Sequence, residues 1–273
     1  MPERLQKVLA RAGYGSRREI ERLIEEGRLQ VNGQVARLGD SVVDADEISL
    51  NGRRLVIATS SAKPRVLIYH KPEGEVCTRS DPEGRATIFD RLPKLRSSRW
   101  VLVGRLDINS SGLLLLTTDG ELAHRLMHPS SEIEREYAVR VLGEVSAQQI
   151  ANLRNGVELE DGPARFVEVR DAGGQGANHW YKVVLTEGRH REVRRLWESQ
   201  GVQVSRLIRI RFGPVTLPRL VRSGKWLELE PGSVELLYRT AGMAPAAAPK
   251  PPRKSRLRQS GAAKSRRPRA RRN

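Results

Sequence analysis

Two short apolar runs around one polar bend constrain this chain more than any other feature. Trp100-Val101-Leu102-Val103 leads into the bend and Leu113-Leu114-Leu115-Leu116 leads out of it. Runs of four or five apolar residues are too short for helices and suit buried strands. Gly112 and the Asp119-Gly120 pair mark the turns. Between the runs, Gly104-Arg105-Leu106-Asp107-Ile108-Asn109-Ser110-Ser111 carries a single carboxylate, Asp107. In such a loop an Asp ordinarily accepts amide hydrogens from its own turn. The competing reading is a reactive carboxylate on a loop held between two rigid strands, and the local sequence does not separate the two.

The charge of the chain narrows the choice. A net charge of +17 points to a polyanionic partner, with nucleic acid ahead of an acidic membrane. From Thr240 to Asn273 there are 11 Lys or Arg and no acid, which leaves a net charge of +6 on residues 1–239. Residues 240–273, rich in Ala, Pro, Lys and Arg, are expected to be a disordered tail that tethers RNA. No apolar run approaches the roughly 18 residues of a membrane span. The N-terminus lacks a signal-like apolar core, so a cytoplasmic protein is expected. The single cysteine, Cys77, has no acid–base partner nearby and reads as structural. The histidines at 70, 124, 128, 179 and 190 have no zinc-site spacing, so no metal is expected.

Residues 1–58 read as a small unit. Leu5, Val8, Leu9 and Ala12, then Ile20, Leu23 and Ile24, recur at helical steps on either side of Gly13-Tyr14-Gly15. Ser16 with Glu19 makes a capping box, and Gly27 suits a helix stop. Short strands follow, at Leu29–Val31 and Ile48–Leu50, with Asn32-Gly33 and Asn51-Gly52 as hairpin turns and a further strand at 55–57. Lys7, Arg11, Arg17, Arg18, Arg22 and Arg28 cluster on the helix pair, opposed by Glu19, Glu21, Glu25 and Glu26. The segments Arg4-Leu5-Gln6-Lys7-Val8-Leu9-Ala10-Arg11-Ala12-Gly13, Ser16-Arg17-Arg18, Gly27-Arg28-Leu29 and Val31-Asn32-Gly33 resemble the S4 RNA-binding domain. That resemblance implies that the helix pair docks its basic turn on structured RNA through phosphates and shape.

Residues 59–64 have linker composition, and 65–239 read as a second domain. Strands are expected at 65–69 and at Glu134–Val141, where Tyr137, Val139 and Val141 share a face. Others are expected at 180–185, Val204–Phe212 and 226–229, with a pair between 156 and 169. Helices are expected at 121–127 and 146–153, and Gly173-Gly174-Gln175-Gly176 reads as a mobile loop. Five of the ten residues from Gly188 to Trp197 are Arg or His, a density that calls for an anion nearby.

Gly104-Arg105-Leu106-Asp107, Glu136-Tyr137-Ala138-Val139, Glu187-Gly188-Arg189 through Val193-Arg194-Arg195-Leu196, and Val204-Ser205-Arg206-Leu207-Ile208-Arg209 resemble the motifs of the RsuA-type pseudouridine synthases. Members of that family join an S4 domain to a catalytic domain. The implied fold class is α+β: a small N-terminal S4 domain plus a catalytic domain built on a large, mainly antiparallel mixed sheet flanked by helices. Asp81-Pro82-Glu83-Gly84-Arg85, Arg125-Leu126-Met127-His128-Pro129 and the basic tail look most like members acting on large-subunit (23S) ribosomal RNA. The implied reaction breaks an N-glycosidic bond, turns the base and forms a C–C bond, with no net redox change and no cofactor.

By resemblance, Asp107 is the catalytic carboxylate, and attack on the sugar and removal of a ribose proton both remain open to it. Arg194 would favour its charged form and orient it bidentately. Tyr137 would stack on a uracil flipped out of its helix, although a core aromatic has the same pattern. Arg105, Arg189, Arg191 and Arg195 would contact phosphates, with pairing to neighbouring carboxylates as the alternative for Arg105 and Arg189. A monomer is expected, since no heptad pattern suggests otherwise. The competing function is a non-catalytic S4-type RNA-binding assembly factor; a hydrolase using Asp107 fits the basic surface poorly.

Overall fold

A computed structural model describes residues 2–57, 63–95 and 98–244. Most of the expected linker and nearly all of the expected tail, at 58–62 and 245–273, lie outside the described residues. The N-terminal unit runs β1 (Glu3–Arg4), α1 (Leu5–Arg11), α2 (Arg17–Glu25), β2 (Leu29–Val31), β3 (Gln34–Val35), β4 (Ser41–Val42), β5 (Ile48–Leu50) and β6 (Arg53–Arg54). The Ser16 hydroxyl accepts from the Glu19 amide and Glu19 reciprocates, so the capping box forms as read. Asn32-Gly33 and Asn51-Gly52 all take positive φ, which is the geometry of tight hairpins. The sheet order is β3-β2-β5-β6, and Leu5, Leu9, Ile20, Ile24 and Leu29 form its core against the helices. The last strand lies at 53–54, two residues before the run expected to form it.

The larger domain contains β7 (Val66–Lys71), β8 (Val101–Val103), β9 (Ser111–Thr117), α3 (Gly120–Met127), β10 (Arg135–Leu142), α4 (Ala147–Asn155), β11 (Val157–Leu159), β12 (Gly162–Ala164), β13 (Glu168–Gln175), β14 (Asn178–Leu185), α5 (Glu192–Glu198), β15 (Gln203–Phe212), β16 (Val215–Thr216), β17 (Trp226–Glu228) and α6 (Pro231–Thr240). Its main sheet has nine strands in the order β13-β14-β10-β15-β9-β7-β17, with β8 also on β9 and β16 also on β15. Every pairing in it is antiparallel except β9 with β15.

The leucine run of β9 is buried on both faces, as a continuous apolar strand should be. Leu114 and Leu116 meet Leu67, Tyr69 and the helix residues Leu153, Leu196 and Trp197. Leu113 and Leu115 meet Leu122, Leu126 and Leu237 from the opposite helical layer. The sheet is thus a slab with α4 and α5 on one face and α3 and α6 on the other.

Two expectations differ from what is observed. Gly173, Gly174 and Gln175 belong to strand β13 rather than to a mobile loop. A Cβ on Gly174 would come within 2.7 Å of the His179 Cα, so glycine lets the two strands of this hairpin close. Helix α6 was not anticipated; it begins with Pro231 at its first turn and buries Leu237 and Tyr238.

Candidate active site

Asp107 sits in the loop between β8 and β9, and its backbone rather than its side chain makes the turn. The Ser110 amide donates to the Asp107 carbonyl at 3.0 Å. The carboxylate itself accepts no hydrogen bond among the described residues, so the expected self-capping turn is not formed.

The loop is instead fastened through five consecutive carbonyls. Leu106 O accepts from Cys77 Sγ at 3.3 Å, and Ile108 O accepts from the Gly74 amide at 2.8 Å. Asn109 O accepts from Arg194 Nη2 at 2.8 Å. Lys71 Nζ donates to Asp107 O at 3.0 Å, to Ser110 O at 2.9 Å and to Pro72 O at 3.0 Å. With its carbonyls committed in this way, the loop has little freedom to carry Asp107 elsewhere.

Lys71 is the residue that sequence reasoning missed. The stretch after Tyr69 reads as a turn, yet β7 continues to Lys71, whose side chain is fully buried. An ammonium taken out of water is costly unless all its donors are used, and three carbonyls use all three. Burial nevertheless pulls its pKa below the ordinary lysine value. The sequence signal was slight: a lysine closing an apolar strand just before a proline.

Arg194 projects from α5, which follows a left-handed residue at Arg191 (φ 50°). Its second donor, Nη1, reaches the Val204 carbonyl at the start of β15, at 3.0 Å. The guanidinium therefore ties α5 to β15 and to the Asp107 loop. The expected bidentate pair with the Asp107 carboxylate is not formed: no carboxylate lies within 4.0 Å of Arg194 among the described residues. Burial lowers its pKa and Arg191 adds to the effect, while the charge of Asp107 opposes them.

Tyr137 lies on β10 facing the α5 side of the sheet, 8% exposed. It belongs to the same apolar cluster as Leu106 and Val193, the residues immediately before Asp107 and Arg194. All three candidate catalytic residues thus border the apolar core on the α4–α5 face of the sheet, and Arg194 also contacts the Asp107 loop directly. Deeper in the sheet, Arg209 is 2% exposed and donates from Nε to the Leu113 carbonyl at 2.7 Å. The backbone of β9 approaches β15 so closely here that a Cβ on Gly112 would fall within 2.7 Å of the Arg209 amide nitrogen. Gly112 also holds φ at +105°.

The other basic candidates divide. Arg105 is exposed and has no ion-pair partner among the described residues. Arg189 and Arg195 both pair with Asp161, at 3.2 and 2.8 Å, and Arg189 also meets Glu187 at 2.9 Å. Arg191 reaches Glu198 at 3.5 Å. Arg189, Arg191 and Arg195 therefore find anions within the chain, and Arg194 does not. In the N-terminal unit, Lys7 and Arg11 pair with Glu3, and Arg22 and Arg28 with Glu26. Arg17 and Arg18 are exposed and carry no such partner among the described residues.

Comparison with known proteins agrees with this architecture. A family model described as RNA pseudouridylate synthase matches residues 65–199, and an S4 domain model matches residues 3–48. The chain is 62% identical over 233 residues to the ribosomal large subunit pseudouridine synthase B of Yersinia pestis, covering 84% of this chain and 73% of that one. It is 58% identical over 248 residues to the protein of the same name from Escherichia coli strain K12, covering 90% and 85%. A crystal structure of a pseudouridylate synthase superposes with a TM-score of 0.60 at 26% identity, over 86% of this chain and 99% of that one. The chain belongs to the RNA pseudouridine synthases, in the S4-bearing group that includes the large-subunit synthases B.

Proposed function

We propose that this isomerase converts a uridine of large-subunit ribosomal RNA to pseudouridine, with Asp107 acting at the ribose of a flipped-out nucleotide. In that reaction the C1′–N1 bond breaks, the uracil turns, and a C1′–C5 bond forms. The C5 proton is lost and N1 gains one, so the atoms and electrons of the nucleotide are conserved.

The observation that carries this reading is the contrast at the Asp107 loop. Five successive carbonyls are fixed by Cys77, Lys71, Gly74 and Arg194, while the one carboxylate has no hydrogen-bond partner among the described residues. A carboxylate held rigidly but not engaged is suited to act on something that arrives later. Arg194 acts here by positioning the loop and by supplying positive charge nearby. Tyr137, a member of the apolar cluster, is the residue that would stack on the target base. Arg105, exposed and two residues before Asp107, would meet a phosphate of the incoming strand.

The test is to express the Asp107→Asn protein in a bacterial strain lacking its own synthase for the same site and to map pseudouridine across large-subunit RNA. The wild-type chain should restore one pseudouridine and the variant none. Restoration by Asp107→Asn would remove the carboxylate from the chemistry. Restoration of growth without modification would favour the assembly-factor reading.

A further inference from the structure

A cleft of about 190 Å³ separates the N-terminal unit from the synthase domain. Helix α1 and Arg17 of α2 line one wall; Arg99, Val101 and the start of α3 line the other. Direct contacts close the joint beside it. Arg99 Nη1 donates to the Gly15 carbonyl at 2.9 Å, and a Cβ on Gly13 would meet the Ser98 carbonyl at 3.2 Å. The Gly13-Tyr14-Gly15 turn, the part the S4 resemblance docks on RNA, also rests against the synthase domain.

The charges around the cleft are not balanced. Each acid that lines it is already engaged: Glu3 holds Lys7 and Arg11, at 3.1 and 2.7 Å. Asp119 accepts from two α3 amides and from the Tyr238 hydroxyl, and Glu121 holds Arg125 at 3.1 Å. Arg17 and Arg99 have no carboxylate partner within 4.0 Å among the described residues. Burial lowers the pKa of Arg99, and the neighbouring charges of Arg79 and Arg17 lower it further, with Glu19 opposing. Two guanidinium groups from different domains therefore line one small cleft, where a single entering anion would pair with both. Arg18, exposed and without a carboxylate within 4.0 Å among the described residues, adjoins Arg17 at the start of α2. The helix end contributes no anion site, because Asp119 already caps α3.

We propose that Arg17 and Arg99 together clamp one phosphate of the ribosomal RNA substrate in this cleft, so that bound RNA fixes the S4 domain against the synthase domain. The clamp rests on the reading that large-subunit ribosomal RNA is the substrate. It explains why a charged joint is built between two units that each possess a core of their own.

The experiment measures binding of the full chain to a large-subunit ribosomal RNA transcript over a range of salt, for the wild type, Arg17→Gln, Arg99→Gln and the double variant. Each single change should weaken binding about 10-fold and flatten the salt dependence, as loss of a charge-assisted phosphate contact does. The double variant should bind within about twofold of the weaker single variant, because both arginines hold the same phosphate. Multiplicative losses, or unchanged affinity in either single variant, would overturn the clamp. Should Arg99→Gln fail to fold, exposed Arg17 carries the test by itself: unaltered binding by Arg17→Glu is enough to reject the proposal. Pseudouridine mapping with the wild-type protein keeps the two readings apart. Wild-type modification with normal binding by the variants rejects the clamp alone, and wild-type binding without modification rejects the assigned reaction.

Discussion

Arg194 reaches past Asp107 and donates to the carbonyl oxygen of Asn109, at 2.8 Å. The arginine of this site therefore acts first on the backbone that carries the carboxylate, and only through space on the carboxylate itself.

Arg194→Lys follows from that relationship. A lysine keeps the charge, but its single ammonium lacks the planar fork that spans Asn109 O and Val204 O. Single-turnover rates on ribosomal RNA should fall about 100-fold while RNA affinity stays within about threefold. A lysine variant as fast as wild type would mean that charge alone suffices.

Asp107→Ala should leave the fold intact. The side chain accepts no hydrogen bond among the described residues and the turn is made by its carbonyl, so urea denaturation should report a change below about 0.5 kcal/mol. A larger loss would show that the carboxylate has a structural partner.

Lys71→Met should do the reverse. It removes the donor shared by Pro72, Asp107 and Ser110 from a fully buried position, leaving carbonyls unpaired at a cost of about 1–3 kcal/mol. Amide hydrogen exchange at Ser110 should quicken and turnover should drop. Unchanged exchange would show that Gly74 and Arg194 suffice to fix the loop.

Gly112→Ala should be among the most damaging small substitutions in the sheet. It adds a carbon where the Arg209 backbone already lies, at φ +105°, and a loss of at least about 3 kcal/mol is expected from denaturation. Near-wild-type stability would require the two strands to separate at no cost.

Acid should loosen α5. The Asp161 pKa is lowered chiefly by its hydrogen bonds to Arg195, with Arg189 adding through space. A carboxylate whose folded pKa lies below its unfolded value stabilises fully above the unfolded value, near 3.9, and loses that contribution as pH falls through the folded one. Hydrogen exchange in 192–198 should therefore rise below about pH 4 in the wild type, and Asp161→Asn should show the faster exchange already at neutral pH. Identical profiles for the two proteins would assign the anchoring of α5 elsewhere.

Much of this was legible from short-range patterns. The capping box at Ser16, the alternation along Arg135–Val141 and the double-sided leucine run each depend on residues a few places apart, and each forms as read. The bend between β8 and β9 was legible, but not how it is held, because its fasteners come from Cys77, Lys71 and Arg194, which no local periodicity links to it. Lys71 was hidden for a further reason: a buried lysine bonded only to carbonyls leaves no complementary acid in the sequence to point to it. The 188–197 segment called for an anion nearby, but nothing in the local pattern identified Asp161, which supplies one from the β11–β12 turn in an ion pair with Arg195 bridging 34 positions.

The parallel seam between β9 and β15 has a consequence for the order of events. Leu113 and Arg209 are separated by 96 positions, so the strand that leaves the reactive loop gains this neighbour only after nearly the whole domain has been made. Chains are synthesised from the N-terminus, and long-range strand pairing is slow to form. A nascent chain that has just made Asp107 lacks both Arg194 and the second strand of the seam, so its loop stays only partly fastened until β15 emerges.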